Sequence, residues 1–206
     1  MKASTFRTLI YGLGALLVVI FSFTVLKTAN GPETEADMPV RAITSPNLGG
    51  AFELVDENGD TVTDQDYTRP YRLIYFGFTF CPAICPTELA KTVRAFKQLP
   101  EDVQDQIDLL FVSIDPERDT AEVIKQYTDL FHPRMIGLTG NQTQIDKVTQ
   151  DYKVYAAKVE DDTMSDYTMD HSSYIYLFGS DNQVKAMYRM DDEADFIAQD
   201  LAKFFK

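Results

Sequence analysis

The chain has 206 residues and a net charge of −13, with 45% hydrophobic and 12% aromatic residues. Lys2, Arg7 and Lys27 stand without an acid in the first thirty residues, which leaves −16 on the rest. This composition excludes a disordered chain, and the charge repels nucleic acid and anionic lipid surfaces, so a cation or a basic protein is the easier partner and no nucleic acid is expected.

Leu9 to Leu26 is an 18-residue run without a charge, near the lower limit for a helix that spans a bilayer. Lys2 and Arg7 precede it, and Glu33, Glu35 and Asp37 follow Lys27. The positive-inside rule places the N-terminus in the cytoplasm and residues 30–206 across the membrane. A cleaved signal peptide is the competing reading. Against it stand the length of the run and the absence of a small-x-small site, since Lys27 occupies the −3 position of Lys27-Thr28-Ala29. No Arg- and Ser-rich transit pattern is present. The expectation is a single-pass anchor over 1–27 in a bacterial inner membrane, with the C-terminal domain in the periplasm. Residues 28–48, with Gly31, Pro32, Pro39 and Pro46, read as a flexible tether. A domain over 49–206 follows.

That domain opens with an alternating strand, Ala51 to Val55, a turn signal at Asn58-Gly59, and a returning Thr61-Val62-Thr63. Leu73 to Phe78 and Asp108 to Ile114 are continuous apolar runs, as expected of strands buried on both faces. Helices are predicted over 87–98, about 120–131, and 141–152. Asp119 and Glu122 suggest a capping pair for the second, with Val123, Tyr127 and Leu130 facing inward. Met135 to Leu138 is a short strand, and Val154 to Val159 an extended edge segment. Glu160 to Asp170 reads as an acidic loop. Strands at 174–178 and 184–189 and a helix at about 192–205 close the chain. Hairpin, then βαβαβα, then ββα, means an α/β fold with a central mixed sheet flanked by helices.

The only two cysteines lie in Phe78-Thr-Phe-Cys81-Pro-Ala-Ile-Cys85-Pro86, between a buried strand and a helix. Two cysteines make no disulfide framework, and a bridge across so short a loop adds little closure entropy. Residues four apart on a helical turn share a face, with Cβ atoms about 5–6 Å apart. The sulfurs are therefore placed either to bind a soft metal together or to bridge. A helix N-terminus lowers thiol pKa, and the thiolate is the form that ligates or attacks. Pro82 and Pro86 stiffen the loop.

A third donor would be histidine. His171 lies just before the strand Tyr174 to Phe178, and would approach the cysteines if that strand lay beside Leu73–Phe78. A capping or surface histidine is the alternative for it. His132, in Leu-Phe-His-Pro, reads as a helix-end cation favoured by the dipole. Two sulfurs and a nitrogen suit Cu(I), or Cu(II) with an added weak ligand. Met164 and Met169 are soft donors nearby, though loop or core packing explains them as well.

Several segments together resemble the Sco/SenC family of membrane-anchored copper proteins. They are Gly49 to Leu54, Tyr75 to Thr79, Cys81-Pro-x-x-Cys85-Pro-Thr87, Val112-Ser-x-Asp115-Pro-Glu-Arg-Asp-Thr120, Gly137-Leu-Thr-Gly140 and Asp170-His-Ser-Ser173. The resemblance covers about 49–205 and the anchor. It implies a thioredoxin-like fold and a metallochaperone rather than an enzyme. It also implies copper held by Cys81, Cys85 and His171 and delivered to the dinuclear copper centre of cytochrome c oxidase. The partners implied are the copper-bearing subunit of that oxidase and another copper chaperone or thiol reductase. Asp115 and Asp119 would support the site rather than ligate. Two positions depart from the family pattern: Ala83 where an Asp is usual, and Phe80 where a His is common.

A thiol–disulfide oxidoreductase that keeps the oxidase cysteines reduced is the alternative. Three residues rather than two separate the cysteines, and no Pro precedes Tyr174, which counts against it. A peroxidase ranks last, because the Pro-x-x-x-Thr-x-x-Cys pattern is absent.

Overall fold

A computed structural model describes residues 47–160 and 166–205. The predicted anchor, the tether up to residue 46, and 161–165 of the acidic loop with Met164 lie outside the described residues. Among the described residues no helix is long and apolar enough to cross a membrane.

The first strand, β1 (Glu53–Asp56), pairs antiparallel with β2 (Thr61–Thr63). Asp56 holds the turn by accepting from the backbone N–H groups of Asn58 and Asp60 at 2.8 and 2.9 Å. Next come β3 (Tyr71–Gly77), β4 (Ile107–Ser113) and β5 (Met135–Thr139), parallel to one another. β8 (Ile175–Gly179) and β9 (Val184–Tyr188) add antiparallel strands. The result is a seven-stranded mixed sheet in the order β2-β1-β5-β4-β3-β8-β9. β4 is buried along its whole length, and β3 at every residue after Tyr71, as their unbroken apolar runs require.

Five helices connect or flank these strands: α1 (Ile84–Lys97), α2 (Glu101–Gln104), α3 (Ala121–Asp129), α4 (Gln142–Asp151) and α5 (Ala194–Leu201). α1 packs with α5, and α3 lies on β5. Leu89, Val93 and Phe96 turn the inner face of α1 to the core, at the spacing expected of an amphipathic helix. Asn141 caps α4, accepting from the Gln144 N–H at 3.0 Å while the Gln144 side chain returns to the Asn141 N–H at 2.9 Å.

Three local expectations need correction. Thr120, not Asp119, caps α3, accepting from the Val123 N–H at 3.3 Å; Asp119 is drawn inward by other donors. The inner face of α3 is also turned by one residue. Ile124 and Thr128 are buried, while Val123 and Leu130 are 38% and 79% exposed. Gly137 in β5 is the cause, since a Cβ there would sit 1.7 Å from Cγ2 of Ile124. The missing side chain makes the seat into which Ile124 drops. Third, the acidic segment is not all loop. β6 (Ala156–Val159) and β7 (Thr168–His171) form a separate two-stranded sheet, with Ala156 opposite His171.

Candidate metal centre

β3 ends at Gly77, and α1 begins at Ile84, so Cys85 sits inside the first helical turn rather than before it. Cys85 is fully buried and Cys81 partly so. The Cys85 N–H donates to Sγ of Cys81 at 3.3 Å. Cys81 thus occupies the place where the unpaired amides of the helix start converge. A hydrogen bond from the Cys85 side chain, then the amides of Cys85, Ala83 and Ile84, bring its thiol down to about 5 against the opposing effect of burial. Cys85 moves the opposite way, held protonated by its bond to Cys81 and by burial. The pair is therefore one thiolate accepting from one thiol, a coupled arrangement in which the more exposed sulfur carries the charge.

Gly77 makes room for this. A Cβ on it would lie 2.9 Å from Sγ of Cys85 and 2.9 Å from Cε1 of Tyr75. Such contacts are closer than side-chain carbons tolerate, so only glycine lets the helix start press its sulfur onto the end of β3.

The antiparallel pairing of β8 with β3 sets Leu177 opposite Leu73 and Ile175 opposite Tyr75. That register brings the segment before β8 to the cysteine end of β3. His171 ends β7 there. Its Nδ1 lies 2.9 Å from the Ser172 carbonyl, to which it donates, leaving Nε2 with a free lone pair. Nε2 is 3.5 Å from Sγ of Cys85. Phe78 meets the imidazole edge-on at 5.8 Å and 86°, and Tyr75 at 6.4 Å and 75°. The Tyr75 hydroxyl lies 2.8 Å from Oγ of Ser173, two residues beyond His171. The structure puts Cys85 in contact with His171 on one side and with Cys81 on the other. Among the described residues no three His, Cys, Asp or Glu side chains are already closed around one metal position.

Asp115 and Asp119 spend their carboxylates on protein donors. Asp119 accepts from the Thr79 N–H at 3.1 Å, the Thr79 hydroxyl at 2.6 Å and the Ser113 hydroxyl at 2.6 Å. Burial raises its carboxyl, and those hydrogen bonds oppose the rise. It therefore pins the start of the cysteine loop to the end of β4. Asp115 accepts from Arg118 Nε at 2.5 Å and from the Tyr167 hydroxyl at 2.7 Å.

His132 lies with Phe96 and Arg134, its Nδ1 accepting from the Arg134 N–H at 3.1 Å. Burial, then Lys97 and Arg134, lower its pKa, so it is a neutral acceptor and not the helix-end cation expected. Met169 is partly buried against the core. A cleft of about 550 Å³ lined by Phe52, Glu53, Asp64, Gln144 and Lys147 includes none of the sulfur or imidazole donors.

Sequence reasoning missed Gly77, Tyr75 and Ser173. The signal for Gly77 was present, a glycine closing an otherwise unbroken buried strand, which marks close backbone approach.

Residues 40–206 match the SCO1/SenC family. A SCO2-like protein of Rickettsia prowazekii is 37% identical over 201 residues, covering 96% of this chain and 94% of its own. The mitochondrial SCO1 homolog of Homo sapiens is 40% identical over 164 residues, 79% of this chain and 54% of its own length, so the chain spans about half of that relative. The crystal structure of Arabidopsis thaliana ScoI with copper bound is 36% identical with a TM-score of 0.73, covering 77% of this chain and 98% of its own. The thioredoxin-like mixed sheet, the sulfur pair at its helix start and these likenesses agree, and the chain belongs to the SCO1/SenC family.

Proposed function

We propose that this chain is a copper metallochaperone that holds one copper ion through Cys81, Cys85 and His171 and passes it to the dinuclear copper centre of cytochrome c oxidase. The observation that carries the reading is the 3.5 Å approach of His171 Nε2 to Cys85 Sγ, with Cys81 bonded to the same helix start. The donor set fits copper: two soft sulfurs and an imidazole whose other nitrogen is already hydrogen-bonded. Copper bound to the Arabidopsis relative supports the same ion here. Binding would need both sulfurs as thiolates, so Cys85 would release its proton to solvent, and Cys81, Cys85 and His171 would be the residues that hold the ion. A single N-terminal anchor over 1–27, a tether over 28–48 and a domain over 49–206 in the bacterial periplasm complete the proposal. They would bring the site to the membrane face where the oxidase subunit presents its own ligands.

The test is copper stoichiometry and affinity of the reduced chain and of His171→Ala. A loss of Cu(II) affinity greater than the roughly 10–100-fold typical of removing an outer-shell partner is expected. Unchanged affinity and spectrum would remove His171 from the site.

The division of charge between the cysteines favours a second reading, thiol–disulfide exchange, because a low-pKa thiolate beside a buried thiol is the pattern of an attacking sulfur. A chain that reduces the oxidase cysteines equally well after His171→Ala would favour it over delivery.

A further inference from the structure

The histidine-bearing hairpin is separate from the main sheet. Its strands β6 and β7 pair only with each other, and a lone two-stranded hairpin is marginal in water. Something outside its own ladder must hold it at the distance observed. Where the chain passes from β7 to β8, Ser173 provides one tie to the main sheet, its Oγ lying 2.8 Å from the hydroxyl of Tyr75 in β3. At the far end of β7 the tie is Arg118.

The Arg118 guanidinium reaches both halves of the site. Nε donates to Asp115 Oδ2 at 2.5 Å, and Nη1 donates to the Tyr167 carbonyl at 2.7 Å. Its Cζ lies 3.6 Å from the centre of the Tyr167 ring and 4.7 Å from that of Phe80. Tyr167 immediately precedes β7, and its hydroxyl donates to the other oxygen of Asp115 at 2.7 Å. Phe80 immediately precedes Cys81. One cation is therefore packed between the residue before the first cysteine and the residue before the histidine strand. Lys158 adds a weaker outer contact, meeting Glu117 at 2.5 Å and the Tyr167 ring at 4.7 Å.

We infer that Arg118 is a positioning residue: it latches the β6–β7 hairpin to the cysteine loop and so sets the reach of His171 toward the sulfurs. Arginine suits the role where lysine would not, because its planar fork hydrogen-bonds in two directions while its flat guanidinium rests against aromatic rings. The Phe80 departure from the family pattern takes part in this, supplying an aromatic face where a histidine is common. The inference rests on the reading of His171 as a copper ligand, and its test separates the two.

The full chain, reduced, is compared with Arg118→Ala, Arg118→Lys, His171→Ala and the double variant Arg118→Ala/His171→Ala. Without copper, amide exchange over 168–171 is expected to speed up about tenfold or more in both Arg118 variants, with β3 and β4 unchanged. Arg118→Lys keeps the charge beside Asp115 and guards against a variant that merely fails to fold. With Cu(II), each Arg118 variant is expected to bind about tenfold more weakly than the parent, while the double variant binds no more weakly than His171→Ala alone. Unchanged exchange over 168–171, or an Arg118 effect of equal size with and without His171, overturns the latch. If His171→Ala binds copper like the parent but the exchange effect is seen, the latch stands and the ligand assignment fails.

Discussion

Cys81 and Cys85 are four residues apart, yet their surroundings push their thiols in opposite directions, Cys81 down and Cys85 up. Cys81 faces a ring of helix-start amides and is partly exposed; Cys85 is fully buried against Gly77 and donates to its neighbour. A depressed pKa means the thiolate forms at lower pH. Cys81 charge is lost only as pH falls through about 5 and is complete at neutrality. In the copper-free, reduced chain, iodoacetamide alkylation is expected to modify Cys81 alone, with a rate that climbs through about pH 5 and is flat from about 6.5 to 8. A rate still rising steeply at pH 8 would mean an ordinary thiol. Gly77→Ala tests the close approach. The added methyl must displace Cys85, so stability is expected to fall by about 1–3 kcal/mol by denaturant unfolding and copper affinity to fall with it. A variant as stable as the parent, with copper binding intact, would show that the helix start has slack.

At the scale of elements, chain order and sheet composition were readable because the strands are long apolar runs and the helices keep their period. The cap of α4 was readable too, since Asn141 and Gln144 stand at capping-box spacing. What escaped was set by contacts between elements. The inner face of α3 follows from a vacancy on another strand, Gly137, which no pattern within α3 reveals. β7 escaped because Thr168 to His171 has no alternation and its partner β6 is half exposed, so neither strand has a buried face to mark it. Gly137→Ala is expected to cost about 1–3 kcal/mol, with thermal or urea unfolding as the readout, because the added Cβ would stand 1.7 Å from Cγ2 of Ile124. The same substitution should leave the Cys81 alkylation rate unchanged, since α3 carries none of the donors.

Across the whole molecule, the two sides of the site are 86 residues apart and are brought together by the pairing of β8 with β3. The cysteine pair and its helix context could be read from one short segment. The histidine contact required the strand order, and the spacing alone left a capping role open. A ligand that ties such distant segments together stabilises the folded chain by mass action. At a thousandfold excess of copper over its dissociation constant the gain is about 4 kcal/mol, or roughly 8–16 °C in Tm for a domain of this size. The shift is expected for the reduced chain in calorimetry and should vanish in a Cys81→Ser/Cys85→Ser variant.

The small two-stranded sheet also bears on how an ion would leave. The sulfurs belong to the main frame, where withdrawing Cys85 would mean unwinding the first turn of α1, whereas the imidazole belongs to an appendage outside the central ladder. If the proposed three donors hold the ion, retreat of the appendage alone would take away the imidazole while the frame that carries both sulfurs stays folded. On the proposed delivery role, donor exchange would then need no unfolding of the carrier, and its pace would follow how readily that small sheet moves aside.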